Sequence, residues 1–174
     1  MNRNNTAGQR RSPVLASLLA GASLLLAGAN PAHAQRERSV TVFHQGVAMT
    51  YVPVNRAGPA ALGDLRVAKA QLTDRRGAKI GEMHGTLTTT AMDTPRPGDE
   101  IRQANLVFQI GREQDQIVVG GQSRYPADSA TIGADSSAIR PILGGAGRFA
   151  GAHGWARTFH FADGAWKHVF HLRP

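Results

Sequence analysis

From residue 35 onward the sequence repeats one pattern, in which short runs rich in Val, Ile, Thr and Phe alternate with clusters of Gly, Asp and Pro. Such runs favour β-strands, and a helical period is hard to find. Many short, evenly spaced strands are typical of a sandwich or an antiparallel barrel, and a barrel removes the strand edges that favour aggregation. We therefore predict an all-β fold, a small closed antiparallel β-barrel of about eight strands. The predicted strands are Ser39–His44, Val47–Val54, Leu62–Thr73, Ala78–Thr90, Ile101–Ile110, Gln116–Tyr125, Ile139–Leu143 with its continuation His153–Phe161, and Ala165–Leu172.

The first 34 residues have a different composition. Three arginines and no acidic residue precede an apolar run from Val14 to Ala29, and a small-residue site, Ala32-His33-Ala34, follows it. This order is typical of a secretory signal peptide. The run is shorter than the roughly 20 residues that a membrane-spanning helix needs. We predict a signal peptide over residues 1–34 and a single domain over residues 35–174, exported to the periplasm or secreted, with no stable insertion in a membrane.

Charge and motifs exclude several function classes. The three arginines of the leader leave 17 of the 20 Lys and Arg for the rest of the chain, against 12 Asp and Glu, and these charges are scattered. Nucleic-acid binding needs a basic stripe, so no nucleic-acid partner is expected. The absence of cysteine excludes disulfides, thiol catalysis and cysteine metal sites. No phosphate-binding glycine pattern and no hydrolase Ser motif is present, so phosphate cofactors and hydrolase chemistry are not expected.

The dipeptide Asp163-Gly164 lies between two strand-like runs and suits a two-residue type I′ hairpin. That turn would place Phe161 opposite Trp166 and Phe159 opposite His168, on one face. This face would form an aromatic wall in which Arg157 and His168 are the polar members. A cation or an imidazole in an apolar cavity would orient a carboxylate or polarise a carbonyl; the alternatives are a rim arginine and a hydrogen-bonded core histidine.

The segment Leu143 to Gly154, Leu-Gly-Gly-Ala-Gly-Arg-Phe-Ala-Gly-Ala-His-Gly, resembles the signature Gly-Gly-Ser/Thr-Gly-x-Phe/Tyr-x-Gly-Ala-x-Gly. Allene oxide cyclases and, more loosely, dirigent proteins share that signature. Leu62-Gly63-Asp64-Leu65 is similar to the cyclase Leu-Gly-Asp-Leu, and Val42-Phe43-His44 resembles the first barrel strand of either group. The resemblance spans most of residues 38–172, so the chain is similar to an exported, bacterial-type member of this superfamily.

The resemblance implies an eight-stranded barrel, usually a homotrimer, with an apolar cavity for a hydrophobic small molecule and no cofactor. Catalysis in these families is confinement and orientation of the substrate. On the first strand, His44 stands where the cyclases carry a Glu and Gln45 where dirigent proteins carry an Asp, and the two registers differ by one residue. Which of the two side chains points inward is left open by the sequence. His153 stands at the dirigent arginine.

These arguments give two sets of candidate site residues. The predicted catalytic residues are His44, Gln45, Arg157 and His168, and the predicted pocket residues are His153, Trp155, Phe159, Phe161, Trp166, Phe170 and Tyr125. A metal site is not expected, because scattered histidines explain the sequence better than a cluster of His44, His84 and His153. The predicted function is a cofactor-independent barrel that binds a hydrophobic small molecule and templates its cyclisation, isomerisation or stereoselective coupling. The alternative is a non-catalytic carrier of a lipid-like or aromatic ligand.

Overall fold

A computed structural model gives the structure of this chain and describes residues 37–58 and 60–173. The predicted signal peptide lies outside the described residues. Within them, no helix is both long and apolar enough to cross a membrane. The strands of the described ranges are β1 (Arg38–Gln45), β2 (Ala48–Val52), β3 (Leu65–Thr73), β4 (Lys79–Met92), β5 (Asp99–Ile110), β6 (Gln116–Pro126), β7 (Ser136–Ala146), β8 (His153–His160) and β9 (Ala165–Arg173), with one 3-10 turn at Gly147–Phe149.

The strands form one antiparallel sheet that closes on itself. The order is β1-β9-β8-β7-β6-β5-β4-β3-β2, and a further pairing joins β1 to β3 through Phe43 and Thr73. Both β1 and β2 pair with β3, so they act as two halves of one strand that bends at Gly46, where φ is 60°. Glycine adopts this left-handed backbone without steric cost. The result is a closed barrel of eight strands, which confirms the predicted fold class.

Two predicted strand assignments are corrected. The run Ile139–Leu143 and the run His153–Phe161 belong to separate antiparallel strands, β7 and β8, because the 3-10 turn after β7 reverses the chain. Conversely, the first two predicted strands share one position in the barrel. The two corrections cancel, so the predicted strand count stays at eight.

The hairpin between β8 and β9 differs from the expected type I′ turn. Phe161 N donates to the Ala165 carbonyl and Gly164 N donates to the Phe161 carbonyl, so the loop has three residues. Gly164 has φ of 80°, whereas Asp163 is not among the residues of positive φ that a type I′ turn requires. This is the hairpin in which a type I turn is followed by a left-handed glycine. The pairing therefore shifts by one residue, and His160 rather than Phe161 lies opposite Trp166.

The register shift exchanges the two faces of β8, because side chains alternate across a strand. Ala156, Thr158 and His160 face the barrel interior, opposite Phe170, His168 and Trp166 of β9. The predicted inward orientation of the odd-numbered residues of β8 is wrong.

The buried polar side chains of the interior are concentrated at one end of the barrel. Around the Leu172 end of β9 the interior is filled by apolar side chains that are at most 6% exposed, namely Val42, Leu72, Phe108, Ile110, Ile117, Phe170 and Leu172. Toward the Trp166 end, the buried side chains include histidines, arginines and a glutamate. The apolar end supplies the packed core, and the polar end carries the candidate site.

Candidate functional site

A pocket opens at the polar end of the barrel interior. The space that it encloses is about 50 Å³, which admits a small group of a ligand whose remainder lies in the open mouth. Most of the lining is apolar, as expected of a small-molecule site with a few converging polar groups. The lining residues are His44, Val47, Met49, Ala68, Met83, Leu87, Leu106, Tyr125, Ala130, Thr131, Ile132, Arg140, Thr158, Trp166 and His168.

Two buried histidines from distant parts of the chain meet in this pocket. His44 of β1 and His168 of β9 are 3% and 2% exposed, and their Nε2 atoms lie 3.0 Å apart. The Nδ1 atom of His44 lies 2.7 Å from the Gly46 carbonyl, which only accepts, so we assign a proton to Nδ1. In neutral His44, Nε2 then accepts a hydrogen bond from Nε2–H of His168. The Nδ1 atom of His168 accepts in turn from the Thr158 hydroxyl at 2.9 Å.

These bonds form one directed chain that runs from Thr158 through His168 and His44 to the Gly46 carbonyl. It engages all four ring nitrogens of the two imidazoles. A ligand in the pocket therefore contacts the carbon edges and faces of the two imidazole rings. Transfer of a proton between an imidazole and the ligand would first require one of these hydrogen bonds to break. The arrangement favours orienting a ligand over acting as a free base.

Burial keeps both imidazoles neutral. Desolvation is the main cause that lowers the pKa of His168 well below its usual 6.5, and the neighbouring His44 and Arg140 lower it further. Desolvation also lowers the pKa of His44; the bond to the Gly46 carbonyl opposes this and His160 adds to it. A proton on either ring would be a charge removed from water beside other cationic groups. The pair is therefore uncharged at neutral pH.

Trp166 forms an aromatic wall of the pocket. The His160 ring stacks on its indole with centroids 4.1 Å apart and an interplanar angle of 11°, and the His44 ring lies 5.6 Å away at 10°. His160 is fixed in turn by a bond of 2.8 Å from Nδ1 to the Ile132 carbonyl. Because imidazoles from both flanking strands stack on it, the indole is held in place and turns an edge, not a free face, toward a ligand.

A network of buried charges supports the pocket from the same end of the barrel. Glu100 is fully buried, and its Oε2 atom accepts from Arg102 Nε at 2.8 Å and from the Thr89 hydroxyl at 3.0 Å. Arg66 Nη2 lies 3.5 Å from the same oxygen. Arg102 Nη1 also donates to the carbonyl of Ala130, a lining residue, at 3.2 Å. The network thus ties β3, β4 and β5 to the loop that covers the pocket.

Arg140 and Tyr125 add a second polar group to the lining. Arg140 is 4% exposed, and its Nη2 atom donates to the Tyr125 hydroxyl at 2.6 Å. Among the described residues, its buried Nε has no hydrogen-bond partner. Burial is the main cause that raises the pKa of Tyr125, and the nearby arginines partly offset it. The tyrosine therefore keeps its proton, which is free to be donated into the pocket.

The structure places four of the predicted site residues at the pocket, namely His44, Tyr125, Trp166 and His168. Phe170 lies below them on the same face of β9, fully buried, with its ring centroid 4.9 Å from that of Phe108. The choice between His44 and Gln45 is decided by burial, since His44 points inward and Gln45 is exposed. The catalytic roles of these residues stay predictions.

The remaining predicted residues lie outside the barrel. His153 is exposed at the start of β8. Trp155 stacks on His171 at 3.7 Å and Arg157 lies over the Phe159 ring at 5.0 Å, both on the outer face. Phe161 is 39% exposed. The shifted hairpin register is the physical reason for the outward orientation of these β8 residues.

Sequence reasoning missed Thr158 and Arg140. Thr158 was placed on the outer face by the predicted hairpin, and the three-residue loop turns it inward. The sequence did not indicate that Arg140 points inward, because both faces of β7 carry apolar residues: Ile139 and Leu143 are exposed, whereas Ala138 and Ile142 are buried. Within the described ranges no group of three metal-ligating side chains could hold an ion. Of the three histidines considered for a metal, only His44 faces inward.

Comparisons with known proteins identify the fold. No family model and no curated protein sequence matches this chain. Among solved structures, a pyocyanin demethylase is similar with a TM-score of 0.58 and 18% identity over 78% of this chain and 99% of that one. The Diels-Alderase AbmU from Streptomyces koyangensis is similar with a TM-score of 0.58 and 15% identity over 81% and 71%. A nonspecific heme-binding cyclase of neoabyssomicin biosynthesis has a TM-score of 0.59 and 16% identity over 80% and 65%. The chain thus has the fold of small β-barrel proteins that include cyclases.

Proposed function

We propose that this protein is a barrel that binds a hydrophobic small molecule at the Trp166 end of its interior and templates the molecule's cyclisation, isomerisation or stereoselective coupling. The observation that carries the proposal is the pocket itself, in which apolar walls surround a fixed indole and a neutral histidine pair. A pocket of this kind holds one conformation of an apolar ligand, and holding reacting groups in place is itself a source of catalysis. Solved barrels of similar fold bear the names of Diels-Alderases and a demethylase.

A non-catalytic carrier is the second candidate function. It is favoured by the engagement of all four ring nitrogens of His44 and His168, which leaves no free base at the ligand. A carrier releases its ligand unaltered, whereas a template releases a rearranged product.

Export and assembly belong to the same proposal. The order of charged, apolar and small residues in positions 1–34 supports export of residues 35–174. The resemblance to the cyclase and dirigent superfamily supports a homo-oligomer, with a trimer as the expected state. Light scattering of the purified domain tests the assembly, and a monomer at micromolar concentration would refute it.

Extraction of the native protein tests the function. We expect mass spectrometry of the extract to give one reproducible apolar molecule from the wild type. Ala68→Phe fills the pocket and should abolish its recovery, whereas Val67→Phe, which changes the exposed neighbour on the outer face, should not. Met49→Trp is a second blocking variant at a half-buried lining position, for use if the first does not fold.

The outcomes separate the candidate functions. Recovery of the same molecule from the wild type and both blocking variants would refute binding in this pocket. Recovery of no molecule, together with no binding of added apolar probes, would refute both functions. If the bound molecule is returned unaltered after incubation, the carrier is correct; if a rearranged isomer accumulates with turnover, the template is correct.

A further inference from the structure

Arg140 is a buried cation without a carboxylate partner among the described residues. The residue is 4% exposed, and its one hydrogen bond within the described residues joins Nη2 to the neutral Tyr125 hydroxyl. Its Nε lies buried with no hydrogen-bond partner in the described part of the chain. A charge removed from water is costly unless an opposite charge and hydrogen bonds compensate it. Among the described residues, the charge of Arg140 is therefore left without a compensating charge.

The other two buried arginines are compensated. Arg66 and Arg102 lie 3.5 Å and 2.8 Å from the same oxygen of Glu100. Asp64, a second buried carboxylate at this end, is bound by the Tyr51 hydroxyl and by two backbone N–H groups of its own loop. Among the described residues neither carboxylate forms an ion pair with Arg140, and Glu100 Oε1 is itself buried without a hydrogen-bond partner. The polar end of the interior thus carries one positive charge that the described residues do not balance.

The missing anion has a place in the pocket. Arg140 and Tyr125 line it together, and Met83, Leu106 and Ile132 supply apolar surface beside them. We propose that Arg140 binds an anionic group of the ligand, so that the pocket takes an apolar molecule carrying one carboxylate. The guanidinium fork matches the geometry of a carboxylate, and the free proton of Tyr125 supplies a further donor. This inference rests on the proposed function and specifies its ligand class.

The test compares two probes with the same skeleton, cinnamate and cinnamyl alcohol, by titration calorimetry at neutral pH. We expect the wild type to bind cinnamate more tightly than the alcohol. Arg140→Met removes the charge but keeps an unbranched apolar side chain, and it should weaken cinnamate binding about 10- to 100-fold, the range of a lost charge-assisted hydrogen bond. Binding of the alcohol should change little. Arg157→Met, which removes an arginine from the outer face, should alter neither.

Tyr125→Phe is the second variant, for use if Arg140→Met does not fold. Loss of the hydroxyl should weaken binding of cinnamate and spare the alcohol. Equal affinity of the wild type for the two probes, or unchanged cinnamate affinity in both pocket variants, would overturn the anion site and leave the apolar pocket standing. Failure of the wild type to bind either probe would overturn the proposed pocket function, and the anion site with it.

Discussion

The buried histidine pair makes the stability of this protein depend on pH in a defined direction. The pKa of His168 lies well below its usual 6.5 in the folded protein, mainly because of burial, and that of His44 is lowered for the same main reason. In the unfolded chain both return to ordinary values near 6.5. Below that pH the unfolded state binds protons that the folded state does not, so the free energy of unfolding falls as the pH falls. The contribution of the pair is fully present above about pH 6.5.

The size of the effect follows from proton linkage. If His168 stays neutral in the folded state, the protein loses about 1.4 kcal/mol of unfolding free energy between about pH 7.5 and about pH 5.5, and His44 adds up to the same amount. Urea unfolding at these two pH values measures the loss, with the fluorescence of buried Trp166 as a probe. His168→Gln should reduce the loss by about 1.4 kcal/mol, because the glutamine does not titrate.

A matched control removes a histidine from the outer face. His153→Gln changes an exposed side chain outside the pocket and should leave the loss of stability unchanged. All other titrating groups are shared by the three proteins, so their contributions cancel in the comparison. If the wild type and His168→Gln lose the same free energy over this interval, the neutral buried pair is refuted.

Three further substitutions test other parts of the structure by urea unfolding at neutral pH. Thr158→Val should lower the free energy of unfolding by about 1–3 kcal/mol, because it leaves a buried imidazole nitrogen without its donor. An unchanged urea midpoint would contradict the hydrogen bond from Thr158 to His168. Gly164→Ala should lower the free energy of unfolding by about 1–2 kcal/mol, because alanine is strained at the positive φ of this position. Gly144 has equally open space for a methyl group but no positive φ, so Gly144→Ala should not have this cost. Equal effects of the two substitutions would contradict the three-residue loop. Glu100→Gln should cost about 3–5 kcal/mol by leaving two buried arginines without a carboxylate. Glu82→Gln on the outer face should change the free energy of unfolding little. Equal losses from Glu100→Gln and Glu82→Gln would refute the buried network.

The strands were predictable because their signals are local. The expected Gln116–Tyr125 corresponds to β6, Gln116–Pro126, and the expected Ala78–Thr90 to β4, Lys79–Met92, since alternation and turn residues bound each run. The faces of β8 were not predictable, because Asp163-Gly164 fits both a two-residue and a three-residue loop. The choice depends on the φ of a single aspartate.

The candidate site was only partly predictable, because it depends on pairings distant in sequence. The pairing of β1 with β9 brings His44 beside His168, and no local pattern specifies that register. Arg140 was hidden by a strand whose two faces are equally apolar in sequence. The aromatic residues of β9 were easier, since their spacing of two already placed Trp166, His168 and Phe170 on one face.

The three-residue loop at positions 162–164 has a consequence for how such a pocket evolves. Deletion of a single codon there would restore a two-residue loop and exchange the faces of β8 while the barrel kept its strand order. Thr158 would turn to the outside, and Arg157 and Phe159 would enter the interior. One short deletion can thus replace several side chains of the pocket lining at once. A series of point substitutions would give the same change only through intermediates whose interior is poorly packed. The length of this loop therefore determines which β8 side chains line the pocket, and with them which molecules a barrel of this kind binds.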